Sequence, residues 1–246
     1  MSVRIAAVGD LHFGRTSPGT LQKLFAEITV AADVLLLPGD LTDYGLPEEA
    51  RALAREIGQT AKIPVVSVLG NHDYESGHAA EVAEILRDAG VIVLDGDTCE
   101  VHGIGIAGVK GFCGGFGKHT LGSWGEPVIK AFVQEGMTEV LKLETALARL
   151  RTETRIALLH YSPVQDTVIG EPEPIFPFLG SSRLEEPINR LNATMVFHGH
   201  AHRGQPEGRT SSGIPVYNVS YPLLLRTTPE RAFRVIEVPG AVGPNL

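Results

Sequence analysis

The first ninety residues alternate short β-branched apolar runs with amphipathic stretches, and this alternation most limits what the chain can become. "VRIAAV" (3–8), "DVLLLP" (33–38) and "PVVSVL" (64–69) are strand-length runs rich in Val, Ile and Leu. Between the first two, Leu21, Leu24, Phe25 and Ile28 repeat at helical spacing behind Ser17-Pro18, an N-cap followed by proline at the first helical position. A second helix is predicted near 47–58. Val82, Ile85, Leu86 and Ala89 mark a third, stopped at Gly90. This βαβαβα order implies a largely parallel sheet with right-handed crossovers.

The pattern changes after residue 90. "VIVL", "TCEVHG" and "IGIAGV" are short strands with no helix between them, so a second sheet or an antiparallel extension is expected. A long helix is predicted over about 127–150. Strands follow at "RIALLH" (155–160) and "TMVFHG" (194–199), separated by a loop and a short helix near 181–191. The tail, with "IPVYNVS" and "RAFRVIEV", reads as strands. There is no internal repeat and no linker-like segment, so one α/β domain over 1–246 is the expectation.

The residues just past five of these strands are more telling than the strands themselves. Gly9-Asp10-Leu11-His12 comes after the first, Gly39-Asp40-Leu41-Thr42-Asp43 after the second and Gly70-Asn71-His72-Asp73 after the third. "IALL" ends at His160, and "TMVF" runs into His198-Gly199-His200-Ala201-His202. Taken singly, an Asp after a strand is a common turn former or cap, and a lone His is more often a core residue. Open α/β sheets collect ligands beyond the carboxyl ends of their strands. Five such ends all carrying Asp, Asn or His therefore point to one site.

The residue types specify the chemistry. Carboxylate and imidazole together suit Mn, Fe, Zn or Co better than Ca or Mg alone. One ion cannot use seven donors of this kind, but two ions about 3.5–4 Å apart can share them. Two divalent ions against Asp10 and Asp40 leave a positive surplus able to hold a hydroxide and a phosphate, as in-line attack on phosphorus requires.

With these motifs the sequence resembles the calcineurin-like metallophosphoesterases. The pattern DxH, GDxxD, GNHD, a lone His and GHxH is present in order, from Asp10 to His202. The resemblance implies a four-layer α/β/β/α sandwich of two mixed β-sheets flanked by helices. It implies that Asp10, His12, Asp40 and His202 hold one metal ion, with Asp40 bridging to a second held by Asn71, His160 and His200. It further implies attack by a metal-bridging hydroxide, with His72 assisting the leaving group and Asp43 orienting His72. Asp73 is expected to tie down its loop. His198 lies outside the family pattern and is expected to end its strand as a supporting or core residue.

Substrate class is less constrained. Protein serine/threonine phosphatases of the superfamily carry arginine after the GDxxD aspartate, where this chain has Tyr44 in "GDLTDYG". The motif looks more like the bacterial phosphodiesterase branch, so a phosphodiester is favoured. A phosphomonoesterase or nucleotidase, and a catalytically silent metal-binding regulator, are the alternatives. The expected partner is a small phosphate ester, with nucleotides among the candidates. Two irregular segments, 108–126 with Lys110, Lys118, His119 and Trp124, and 162–180 with Phe176 and Phe178, are placed to choose it, and Arg15 and Arg203 are candidate phosphate contacts. A net charge of −8 argues against a broad grip on nucleic acid or anionic membrane, and no apolar run approaches the length of a membrane span. Cys99 and Cys113 form no CxxC pattern, and "MSVRIAAVGDLH" lacks a signal-peptide pattern, so a reduced, cytoplasmic setting is expected.

Overall fold

A computed structural model describes residues 2–14 and 19–240. Arg15 and the Ser17-Pro18 helix start lie outside the described residues. In chain order the structure runs β1 (Ser2–Ala7), α1 (Thr20–Ala31), β2 (Val34–Pro38), α2 (Pro47–Thr60), β3 (Val65–Val68), α3 (Asn71–Tyr74), α4 (Ala79–Asp88), β4 (Val91–Val93), β5 (Asp97–Val101) and β6 (Ile104–Val109). It continues with α5 (Pro127–Arg149), β7 (Arg155–Leu159), α6 (Phe176–Leu179), α7 (Glu185–Arg190), β8 (Met195–His198), β9 (Glu207–Arg209), β10 (Pro215–Asn218), α8 (Tyr221–Thr227) and β11 (Arg234–Pro239).

The strands form two mixed sheets, ordered β11-β1-β2-β3-β4 and β5-β6-β7-β8-β10-β9. In the first, β1 to β4 are parallel and β11 closes the edge antiparallel to β1, from Ser2 opposite Pro239 to Ala7 opposite Arg234. In the second, β6, β7, β8 and β10 are parallel, with antiparallel β5 and β9 at the two edges.

Strand periodicity explains the layering. Successive strand residues point to opposite faces. Ile104 and Ile106, Ile156 and Leu158, and Met195 and Phe197 face the first sheet and join its core. Their neighbours Ala107, Val109, Ala157, Leu159 and Val196 face the other way, onto Val140, Leu143 and Leu147 of α5. Leu21, Phe25 and Ile28 of α1, Leu53 and Ile57 of α2, and Val82 and Leu86 of α4 belong to the first sheet's core. Both faces of the central strands are thus covered, which is why they read as continuous apolar runs rather than alternating ones. The α/β/β/α sandwich is present as expected.

Three details differ from the sequence reading. "VIVL" joins the first sheet beside β3, so the switch to the second sheet falls between β4 and β5, not at residue 90. The tail is not all strand: Tyr221–Thr227 is a helix, with Pro222 in its first turn behind Ser220, a start signal that a run of three leucines obscured. Asn71–Tyr74 forms a one-turn helix inside what reads as a loop.

Candidate metal centre

The five motifs follow β1, β2, β3, β7 and β8 and converge at one edge of the sandwich. Asp10, Asp40 and His160 are buried; His12, Asn71, His72, His200 and His202 are partly buried. Donor atoms of Asp10, His12 and His202 lie within 4.8 Å of one another, as do those of Asp40, His160 and His200. The Asp40 carboxylate faces both groups. One oxygen is 3.4 Å from His160 Nε2 and the other 3.8 Å from His12 Nε2. Asn71 lies beside the second group, its Oδ1 2.9 Å from His160 Nε2.

Backbone carbonyls select the imidazole tautomers. Pro38 O accepts from His160 Nδ1 at 3.0 Å, which leaves the Nε2 lone pair aimed at Asn71 Oδ1 and Asp40. Phe178 O accepts from His200 Nε2 at 3.1 Å, leaving Nδ1 for the second group. In the first group, His202 Nε2 sits 3.1 Å from Asp10 Oδ1 and 3.4 Å from His12 Nε2. The His160 Nε2 lone pair is therefore set against the oxygens of Asn71 and Asp40, an arrangement that a bound cation relieves.

The electrostatics have the same sense. Asp10 and Asp40 are each 1% exposed, and among the described residues their ion-pair partners are histidines alone. Burial pushes the Asp40 carboxyl well above its ordinary range, and the charges of Asp10 and Asp73 push it further. Burial acts likewise on Asp10, but the His202 hydrogen bond and the histidines around it hold that carboxyl below its ordinary range. Burial lowers His12 and His200 to about 4 and His160 well below its ordinary value, keeping these rings neutral, the form that binds metal. Burial also works against protonation of His202, but the Asp10 hydrogen bond, the Asp10 charge and that of Glu171 together outweigh it and raise that ring. A nitrogen and oxygen donor set with two buried carboxylates and, among the described residues, no lysine or arginine partner fits transition-metal ions.

Backbone strain marks the same place. Six described residues other than glycine have positive φ, and four of them are Asp10 (55°), His12 (43°), Asp40 (47°) and His200 (69°). Side chains rarely adopt that region, and such strain concentrates at functional sites. Close approach supplies a second constraint. A Cβ at Gly70 would overlap Asp40, and one at Gly199 would overlap the Asp10 carboxylate.

His72 lies beside the first group, its ring centroid 4.5 Å from that of His12. Its Nδ1 donates to Asp43 O at 2.6 Å. Asp43 therefore contacts His72 through its backbone carbonyl, while its carboxylate stands 3.4 Å from His12 Nδ1. The expectation that the Asp43 side chain orients His72 is revised in this respect. The turn directs the carboxylate to the neighbouring histidine. Asp73 accepts from Gly70 N, Leu41 N, Thr42 N and Thr42 Oγ1, pinning the second motif to the third. His198 is fully buried between Thr167 Oγ1 (2.8 Å) and Gly199 O (2.7 Å), supporting the loop that carries His200 and His202.

Segments 108–126 and 162–180 are paired rather than loose. Gly114 N donates to Pro177 O, Gly115 N to Gly180 O and Ser182 N to Gly115 O. Phe116, Val168 and Leu179 pack with Ala201, between His200 and His202. The second segment thus reaches the site through the Phe178 carbonyl, a contact with no side-chain signature in sequence. The Phe178 ring and Trp124 are exposed, as are Lys118, His119 and Arg203. Lys110 turns inward and is buried. Cys99 and Cys113 are free thiols, and no helix among the described residues is long and apolar enough to cross a membrane.

Comparison with known proteins agrees with this geometry. No curated protein sequence matches the chain. Among solved structures, the phosphopantetheinyl hydrolase PptH from Mycobacterium tuberculosis superposes with a TM-score of 0.67 at 15% identity, covering 94% of this chain and 95% of that one. TT1561 of Thermus thermophilus does so at 0.57 and 18% identity, covering 97% of this chain and 100% of that one. A putative 5'-nucleotidase from Staphylococcus aureus, in complex with alpha-ketoglutarate, matches at 0.54 and 15% identity, over 89% of this chain and 48% of that one. At these identities the likeness is one of fold. The calcineurin-like phosphoesterase family model matches residues 3–204, through all five motifs, and the chain belongs to that family of metal-dependent phosphoester hydrolases.

Proposed function

We propose that the chain hydrolyses a small phosphodiester at a dinuclear metal centre. Asp10, His12, Asp40 and His202 would hold one ion, and Asp40, Asn71, His160 and His200 the other. The observation that carries this reading is the Asp40 carboxylate, which turns one oxygen toward each donor group. Metal ions bound there would polarise the phosphoryl oxygens and lower the pKa of bound water.

The remaining steps belong to the chain's own groups. His72 keeps its Nδ1 proton on Asp43 O, so Nε2 is the atom that exchanges a proton with the leaving alkoxide. Glu75 Oε2 stands 3.7 Å from the same His72 Nδ1. His12 stands between Asp43 and Asp40, which fixes its ring plane. The net charge of −8 argues against a broad grip on nucleic acid and so favours a small ester, nucleotides included, and a cytoplasmic setting fits the two free thiols. Manganese, iron, zinc and cobalt all suit the donor set.

The preference for a diester rests on Tyr44 in "GDLTDYG", where the protein phosphatases carry arginine. A monoester is the second reading, favoured by the likeness to a putative 5'-nucleotidase. Purified Mn-loaded protein is tested on bis-p-nitrophenyl phosphate and p-nitrophenyl phosphate, with His72→Asn as control. Faster turnover of the diester, lost in the variant, is the expected result. Faster turnover of the monoester makes the chain a phosphatase, and cleavage of neither refutes the catalytic reading.

A further inference from the structure

Beside the metal centre, at the carboxyl ends of β3, β4 and β6, lies a cavity of about 260 Å³. Leu69, Tyr74, Arg87, Leu94, Asp95 and Lys110 line it, and the first turn of α4 closes one side. Lys110 is only 9% exposed. Its ammonium faces the rings of Phe112 (4.8 Å), Tyr74 (5.4 Å) and Tyr161 (5.5 Å). Tyr161 in turn packs 4.5 Å from His200 and 5.3 Å from His160, so one ring separates Lys110 from the second donor group.

A lysine carries three donors, and Lys110 spends one, on Gly111 O at 3.0 Å. The carboxylates nearby are already engaged. Glu139 accepts from Gly111 N and Lys142 Nζ, both at 2.9 Å, and Asp95 pairs with Lys142 at 2.8 Å. Arg87 donates to Val93 O. Among the described residues neither Lys110 nor Arg87 has a carboxylate at ion-pair distance. Buried Lys110 and exposed Arg87 thus line one small cavity with no carboxylate paired to either among the described residues, the Asp95 that shares the lining being held by Lys142, and the buried ammonium is the charge that calls for compensation. The positive end of α4 adds to the same field.

We propose that this cavity is an oxyanion site of the phosphate class, with Lys110 and Arg87 as its cationic walls. Its volume lies below the roughly 300–1,000 Å³ of pockets that enclose drug-sized ligands, so it takes a single acidic group and not a nucleoside. That group is either free phosphate or a second phosphate on a substrate whose ester sits at the metal centre. The second source rests on the phosphoesterase reading; the first does not.

Calorimetric titration of the Mn-loaded full chain with inorganic phosphate tests the proposal, with Lys110→Met, Arg87→Gln and His202→Asn alongside. The expected result is a binding event that survives His202→Asn and weakens about ten-fold or more in Lys110→Met and Arg87→Gln, the loss of one charge-assisted hydrogen bond each. Arg87 lies on the outer wall, so Arg87→Gln carries the test should Lys110→Met fail to fold. Phosphate binding unchanged in folded Arg87→Gln and Lys110→Met overturns the proposal. A metal centre that binds no phosphate refutes the function proposed above but leaves the Lys110-dependent event in place. Thymidine 5'-(p-nitrophenyl phosphate) with and without a 3'-phosphate separates the sources. A KM raised by Lys110→Met only for the 3'-phosphorylated ester assigns the site to substrate. An unchanged KM for both, with the calorimetric event lost, assigns it to free phosphate.

Discussion

Gly70→Ala tests whether close approach sets the metal centre. Gly70 has φ −107°, which alanine adopts freely, so backbone strain is not the issue. The added Cβ would overlap Asp40 Oδ1 and its backbone nitrogen and stand 2.8 Å from His160 Cε1. Ordinary contacts begin at 3.4 Å, so the His160 ring alone must yield about 0.6 Å. Metal sites tolerate about 0.2 Å in ligand distance. Overpacking of this kind costs about 1–3 kcal/mol. At roughly 2–4 °C per kcal/mol for a chain of this size, Tm should fall by about 2–12 °C. Loss of function should be far larger. If Asp40 bridges as proposed, a displaced carboxylate cannot serve both groups, and misplacement by about 1 Å costs roughly 10²-fold in rate. Metal content after desalting, Tm and hydrolysis of bis-p-nitrophenyl phosphate are measured together. Gly58→Ala is the control, because its Cβ meets nothing within 4 Å and a helical alanine should add about 0.4–1 kcal/mol. Full metal content and parental turnover in Gly70→Ala would refute the reasoning.

Three further outcomes are expected. His72→Asn should lower kcat by about 10²- to 10⁴-fold with metal content unchanged, whereas a change confined to KM would remove His72 from proton transfer. Stripping the metals with a chelator should lower Tm by roughly 5–11 °C, the loss of about 2.7 kcal/mol for a ligand held at 100 times its Kd, and Mn should restore it; an unaltered melt would mean the buried carboxylates need no cation. The hydrogen bonds from Arg4 hold the Asp33 carboxyl down to about 2. That stabilisation is present above its ordinary value near 3.8 and is lost as the pH falls toward 2. Asp33→Asn should therefore melt slightly earlier than the parent at pH 6, and the gap should close between about pH 4 and 2.

Periodicity and residue type carry a great deal of this protein. The apolar runs that become β1, β2, β3, β6, β7 and β8 are legible because burial on both faces demands uninterrupted hydrophobic side chains. The site is legible because open α/β sheets present ligands at strand ends, and five ends carried metal-competent residues. Elements whose stability comes from their neighbours were not legible. Tyr221–Thr227 has no helical stripe long enough to register, and Asn71–Tyr74 is a single turn held by Asp73.

Sequence by itself determined the parallel core and the family, and named the candidate donors, since local pattern and residue type suffice for those. Only the tertiary structure decided which donor faces which. Register and backbone strain put Asp40 between His12 and His160, turned the Asp43 carboxylate to His12 and its carbonyl to His72, and brought the Phe178 carbonyl to His200. It also turned Lys110 inward to share with Arg87 a cavity lined by residues between Leu69 and Lys110. Contacts of this kind are set by packing between distant segments, and packing leaves no periodic trace along the chain.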